Sequence, residues 1–307
     1  MFFNILEINA ALGENKIEPG SLFDDDDGRL VNKTGIPFVH RTRKTAFDLS
    51  IEAILGLSSL KNNSQKIGCV IYVTQSPTNF LPNHASFIQS RFNLPNKSLC
   101  FDINQGCSGF VQALLIMIPI LYSLESKVGL IICSDTYSHH LSENDRSTQS
   151  LFSDGATATL ISTEKKWELI NSSHYTDGGG GKYLLKSIVE KEKLFMDGAK
   201  IFLWTRSVLG REIIKMLEAS NLSTIDIDNF FVHQASKLVL DNIAKGLKIS
   251  TNKIPKTLQI TGNLVSSSIP FLIHQNMEVF KLSKKLILSG FGVGLSLSSC
   301  IIKNVDR

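Results

Sequence analysis

The sequence predicts an α/β fold made of two similar halves. Short apolar runs at residues 68–73, 128–133 and 156–162 read as strands, and they alternate with longer runs at 45–60 and 207–219 whose apolar spacing is helical. The order of parts then recurs along the chain. The 307 residues are 43% hydrophobic, enough to bury a large core shared by two halves.

Taken in order, helix 45–60 leads to a strand ending at Thr74-Gln75-Ser76-Pro77. A strand-turn-helix around Cys107 follows, and then a strand pair at 128–134 and 156–162. The second half repeats this with helix 207–219, the strand Phe230-Phe231-Val232-His233-Gln234, a turn at Gly262-Asn263, and the pair 286–289 with 295–301. The divide should fall in the polar, Gly-rich stretch 163–182, giving halves at 1–165 and 166–307 with residues 178–181 as a flexible connection. The longest apolar run, 110–122, is interrupted by Gln112 and Pro119 and is too short to cross a bilayer. It reads as a buried helix that Pro119 kinks or ends early.

Bulk properties exclude several classes of function. A net charge of +4, scattered along the chain, argues against nucleic-acid binding. Five cysteines without a C-x-x-C pair, and no charged segment leading into an apolar one at the N-terminus, predict a reduced cytoplasmic protein with no signal peptide or membrane span. None of the seven histidines has metal-ligand spacing, and His139-His140 reads as a solvated pair, so no metal is expected. The acidic run from residue 24 to residue 27 reads as a solvated loop.

Cys107 carries the chemistry. It sits where an apolar strand passes through small residues into the long apolar helix, in Phe101-Asp102-Ile103-Asn104-Gln105-Gly106-Cys107-Ser108-Gly109-Phe110. Unsatisfied N–H groups and the positive dipole end of a helix favour thiolate there and offer donors to an oxyanion. The alternative is a buried cysteine that only fills space, which is the preferred reading for Cys69, Cys100, Cys133 and Cys300. His233 ends a strand where side chains face a crevice, although a packed, hydrogen-bonded histidine would look the same. Asn263 lies in a turn before the second half's counterpart of the Cys107 helix, where an ordinary turn asparagine is the alternative. Gly290-Phe291-Gly292-Val293-Gly294-Leu295 is a glycine-spaced hairpin that lets backbone approach a ligand, without the context of a dinucleotide site.

Together these segments resemble the β-ketoacyl-acyl-carrier-protein synthase III family of the thiolase superfamily. Lys33-Thr34-Gly35-Ile36 is similar to its early T-G-I motif, and residues 101–110 to its nucleophile motif. Asp145-Arg146-Ser147-Thr148 is similar to D-R-G-T, and residues 152–158 to F-G-D-G-A-G-A. Met196-Asp197-Gly198 is similar to M-E-G, His233-Gln234-Ala235-Ser236 to H-Q-A-N, Gly262-Asn263 to the start of G-N-T-S, and residues 290–295 to the closing hairpin. The ordered set runs from about residue 29 to the end.

The resemblance implies a thiolase-like five-layered α-β-α-β-α fold of two duplicated halves. It also implies a Cys107, His233, Asn263 triad catalysing decarboxylative Claisen condensation of a Cys-bound acyl group with malonyl-acyl-carrier protein. The backbone N–H groups of Cys107 and Val293 would form the oxyanion hole. Arg29, Lys33, Arg146 and Ser236 would meet coenzyme A or phosphopantetheine, Lys237 would dock acyl-carrier protein, and Leu81 would cap the acyl pocket of a homodimeric partner. No cofactor would be permanently bound; acyl-coenzyme A or acyl-phosphopantetheine would be substrate. Transfer of the acyl group to an amine, hydroxyl or thiol without decarboxylation is the competing activity.

The chain also departs from the family pattern. Arg29 stands where the family has a Trp that stacks on adenine, Ser236 replaces the Asn of H-Q-A-N, and Leu238 replaces a basic residue. Val293, Ser153 and Thr157 replace motif glycines. These changes point to a specialised homologue.

Overall fold

The computed structural model describes residues 1–23, 28–187, 189 and 193–307, so the acidic run at 24–27 lies outside the described residues. The first part of the chain forms β1 (Phe2–Leu12), β2 (Asn15–Ile17), α1 (Arg29–Thr34), β3 (Val39–Arg41), α2 (Ala46–Leu55), α3 (Leu60–Asn63), β4 (Ile67–Val73), α4 (His84–Arg91), β5 (Leu99–Ile103), α5 (Gly109–Ser123), β6 (Val128–Asp135), α6 (Arg146–Gln149) and β7 (Gly155–Thr176). The rest forms β8 (Leu184–Leu185), β9 (Phe195–Met196), α7 (Gly198–Glu218), β10 (Asn229–Val232), α8 (Lys237–Leu247), α9 (Leu258–Thr261), α10 (Ser268–Gln275), α11 (Met277–Leu282), β11 (Lys285–Gly292) and β12 (Ser296–Asn304).

Strands pair in the order β10-β11-β12-β7-β6-β4-β5, and β1 also joins β7. β7 is 22 residues long and changes partner along its length. Its first part pairs with β6 from Asp135↔Gly155 to Val128↔Ser162, and its last part pairs with β12 from Trp167↔Asn304 to Thr176↔Ser296. The expected boundary at residue 165 therefore falls inside this strand, between the two sets of partners.

Strand periodicity sorts the core into layers, because successive side chains point to opposite faces. Cys69, Ile71 and Val73 of β4 and Ile131 and Cys133 of β6 face the buried helices α5 and α10, where they meet Leu286, Leu288, Cys300 and Ile302 of β11 and β12. The alternate residues Val70, Tyr72, Leu130 and Ile132 turn outward to α2 and α4. Phe230, Val232, Ile287 and Ile301 turn the other way, to α7 and α8. The result is five layers in the order helix, sheet, helix, sheet, helix.

Four local expectations need correction. The helix expected over 45–60 starts on a capping box between Thr45 and Asp48 but ends at Leu55, and Gly56 packs against the Asn9 side chain. The helix expected over 207–219 begins earlier, at Gly198, because Asp197 caps it by accepting from Lys200 N–H at 3.0 Å. The 163–182 stretch, expected as a polar divide with a flexible connection at 178–181, is mostly strand. β7 continues to Thr176, and residues 178–183 form a single 3₁₀ turn anchored where Asp177 and Leu295 exchange backbone hydrogen bonds of 2.8 and 2.9 Å. Finally, α5 runs past Pro119 to Ser123. Pro119 lies on the exposed side of the helix, where water can take up the carbonyl that its missing N–H leaves free.

Candidate active site

The Cys107 turn is held by close approach. A methyl added at Gly290 of β11 would lie 2.5 Å from the Cys107 carbonyl oxygen and 2.7 Å from Ser108 Cα, and one added at Gly292 would lie 3.1 Å from Cys107 Sγ. Only glycine lets the β11 backbone run this close to the nucleophile turn. Cys107 is 7% exposed and precedes α5 by two residues.

The low-pKa thiolate expected from the helix N-terminus is not the resting form. Burial pushes the Cys107 thiol up and the negative charge of Asp135 pushes it the same way, while its own N–H works against both. Among the described residues, no protein acceptor takes the N–H of Cys107 or of Val293. Val293 packs against the apolar cluster that contains Cys107.

His233 leaves the end of β10 with its N–H donating to Ser289 O at 2.9 Å. The ring meets Phe291 edge-on at 5.4 Å, is 2% exposed, and has no partner at Nδ1. Burial pushes its pKa down to about 3, so the imidazole is neutral across ordinary pH. Asn263 sits in the turn between α9 and α10, where its N–H donates to Leu151 O and its carbonyl accepts from Ser153 N–H. Its Oδ1 accepts from Val265 N–H at 2.9 Å. With the oxygen engaged there, the amide's N–H donors are left for the cavity side.

Cys107, His233 and Asn263 line one cavity of about 810 Å³. Its walls come from α1 (Leu30, Lys33, Thr34), the β8–β9 hairpin (Leu184, Phe195, Met196) and the first turns of α7 (Ile201, Phe202, Thr205). The chamber is largely apolar, with a thiol, an imidazole and a carboxamide in its lining, and it suits a long flexible thioester. Of the α7 and hairpin wall, the sequence reading singles out only Met196-Asp197-Gly198, as a motif, and not the apolar residues Leu184, Phe195, Ile201 and Phe202 beside it.

The other expected residues are more scattered. Lys33 lies in the last turn of α1 and lines the cavity, as does Ser236, whose hydroxyl caps α8 by accepting from Val239 N–H at 3.4 Å. Arg29 and Arg146 begin α1 and α6. Lys237 pairs with Asp241 at 2.7 Å on the half-exposed side of α8. Leu81 is 78% exposed beside Phe80 at 91%. Among the described residues, the cavity lining does not include Arg29, Arg146, Lys237, Leu81 or Val293. No group of three or more His, Cys, Asp or Glu among the described residues could hold a metal ion, and none of their helices is long and apolar enough to cross a membrane.

Residues 101–178 match the family described as 3-oxoacyl-[acyl-carrier-protein (ACP)] synthase III, and residues 217–304 match its C-terminal counterpart. A β-ketoacyl-[acyl-carrier-protein] synthase III of Lactococcus lactis is 31% identical over 322 aligned residues, covering 98% of this chain and 99% of that one. The chain belongs to the 3-oxoacyl-acyl-carrier-protein synthase III family. The synthase III of Streptococcus agalactiae is 30% identical and covers 92% of each chain. A crystal structure of a 3-oxoacyl-(acyl-carrier-protein) synthase III superposes with TM-score 0.91 at 28% identity, covering 99% of this chain and 100% of that one. The chain is thus an enzyme of the synthase III type with the thiolase-like fold expected from its sequence. Cys107, His233 and Asn263, the three residues singled out by the resemblance, share one cavity in it.

Proposed function

We propose that this chain condenses a Cys107-bound acyl group with malonyl-acyl-carrier protein, releasing carbon dioxide and giving a 3-oxoacyl thioester for fatty-acid or specialised acyl-chain synthesis. In the first half-reaction, Cys107 Sγ attacks the thioester carbonyl and its proton passes to neutral His233. The oxyanion is held by the N–H groups of Cys107 and Val293, and the C–S bond of the donor breaks as the leaving thiolate takes up the proton.

In the second half-reaction, the malonyl C–C bond breaks and carbon dioxide leaves. The electron pair forms an enolate whose oxygen receives hydrogen bonds from His233 and Asn263. The enolate carbon attacks the acyl carbonyl on Cys107, the C–S bond breaks, and the departing Cys107 thiolate takes up a proton from water to restore the thiol.

One observation carries this reading: a thiol, a neutral imidazole and a carboxamide with its oxygen already engaged share a single chamber. The amide donor also favours condensation over simple acyl transfer, which needs a base but no enolate clamp.

In this reading Lys33 and Ser236 meet the phosphopantetheine arm, with Arg29 and Arg146 at its outer end, and Lys237 belongs to the acyl-carrier-protein docking face. The acyl group arrives on coenzyme A or carrier protein, and no cofactor is resident. The enzyme works in the cytoplasm as a homodimer, in which Leu81 of one subunit caps the other's acyl pocket. The exposed pair Phe80 and Leu81, and β5 as an edge strand of the sheet, support the dimer.

The test follows each half-reaction separately. Incubation with acyl-coenzyme A and acyl-carrier-protein thioesters should add the acyl mass to wild type and none to Cys107→Ser. Labelled malonyl-acyl-carrier protein should release labelled carbon dioxide. Wild-type-like acylation of Cys107→Ser would remove the nucleophile, and acyl transfer to an acceptor without carbon dioxide would establish the competing activity.

A further inference from the structure

Asp135 is a wholly buried carboxylate that neither half-reaction uses. It ends β6 and lies close enough to Cys107 for its charge to raise the thiol. Its Oδ1 accepts from Gln75 N–H at 2.7 Å and from Ser76 Oγ at 3.5 Å, both in the loop after β4. Its Oδ2 accepts from the N–H of Ser266 at 3.3 Å and from the Ser266 hydroxyl. Burial raises its pKa to about 6, and these donors oppose the rise.

Ser266 follows a residue held in a conformation unusual for its type. Val265 has φ +52°, the left-handed region that a β-branched side chain strongly disfavours. A conformation of that kind persists only where its surroundings impose it, and such residues cluster at functional sites. Here the constraint has two visible parts: Asp135 grips Ser266 at both backbone and side chain, and Ser267 Oγ donates to Cys133 O at 2.8 Å. The conformation has a visible result as well, because Val265 N–H donates to Asn263 Oδ1 and thereby decides which end of the carboxamide faces the cavity.

We propose that Asp135 is a positioning residue for Asn263: through Ser266 it holds the left-handed Val265 backbone, whose N–H fixes the orientation of the carboxamide. This rests on the enolate-clamp reading above and assigns it a specific support. Without the carboxylate, Val265 relaxes to negative φ and the Asn263 amide loses its fixed orientation. The damage therefore falls on the decarboxylating half-reaction. Acylation of Cys107 is spared, or quickened by loss of a nearby negative charge.

Acetyl-coenzyme A and labelled malonyl-acyl-carrier protein serve as probes on the full chain, with acylation read by intact mass and decarboxylation by released carbon dioxide. Asp135→Asn should cut carbon dioxide release by about tenfold or more, approaching loss of an oxyanion donor, while Cys107 acylates at least as fast as in wild type. Adding Val265→Gly to Asp135→Asn should restore most of the lost rate, because glycine adopts positive φ without being held there. Ser266→Ala removes a single hydroxyl and should show a smaller loss confined to the same half-reaction; it decides the matter if Asp135→Asn does not fold.

Equal loss of both half-reactions, an unchanged rate of carbon dioxide release, or failure of Val265→Gly to restore the rate would overturn the role of Asp135. A wild-type protein that neither acylates nor decarboxylates would instead refute the function on which this role rests.

Discussion

The turn carrying Cys107 and the turn carrying Asn263 open onto the same cavity, each just ahead of a buried central helix, yet they are held by different means. The Cys107 turn is placed by contact: β11 crosses it so closely that residue 290 has no room for a side chain and residue 292 very little. The Asn263 turn is placed by hydrogen bonds, from Val265 to the carboxamide, from Ser266 to Asp135 and from Ser267 to Cys133. The difference follows from what each group must do. A sulfur needs only to be reached and is well served by a rigid wall. A carboxamide must present a donor and not an acceptor, and only a directional bond distinguishes the two ends.

The largest effect that would test this contrast is at Asn263. Asn263→Ala should lower decarboxylation of malonyl-acyl-carrier protein by about 10²-fold or more while leaving Cys107 acylation near wild type, the usual scale for one lost oxyanion donor. Equal damage to both half-reactions would show that the two turns act as one unit.

Gly290→Ala probes the contact side. The new methyl meets backbone atoms that cannot swing away, so the protein should lose about 1–3 kcal/mol in urea unfolding, the scale of an overpacked core. A midpoint equal to that of wild type would mean that β11 yields, and that contact does not fix the nucleophile.

The finest test is titration. A thiol pushed up by burial and by Asp135 is protonated at neutral pH, so alkylation of Cys107 by iodoacetamide should keep rising by about tenfold per pH unit with the thiolate fraction. It should still be climbing at the ordinary thiol value of 9.0. A plateau near neutrality would indicate a thiolate stabilised by the helix end, and would reverse the balance found here.

Legibility in the sequence followed burial on two faces. β4 and β6 are apolar at nearly every position, and their runs at 68–73 and 128–133 fall within the observed strands. β7 was visible only to residue 162 because its continuation carries Glu164, Lys165, Lys166, Asn171 and Ser172, polar residues on a strand buried on one side at most. The start of α7 was hidden for a similar reason: Gly198 and Lys200 look like loop, and Asp197 acts as a cap that is recognised only once the helix is known. Cys107, His233 and Asn263 could be singled out because each sits in a short motif that resembles one of the family's, and the structure brings all three to one cavity. Asp135 could not. An aspartate at the end of an apolar strand carries no pattern, and its partners Gln75 and Ser266 lie 60 and 131 residues away.

The unbroken course of β7 has a mechanical corollary. A single ribbon is stitched to β6 over its first stretch and to β12 over its last, so the two sheets share one backbone across their seam. Moving one sheet against the other would have to bend this shared strand.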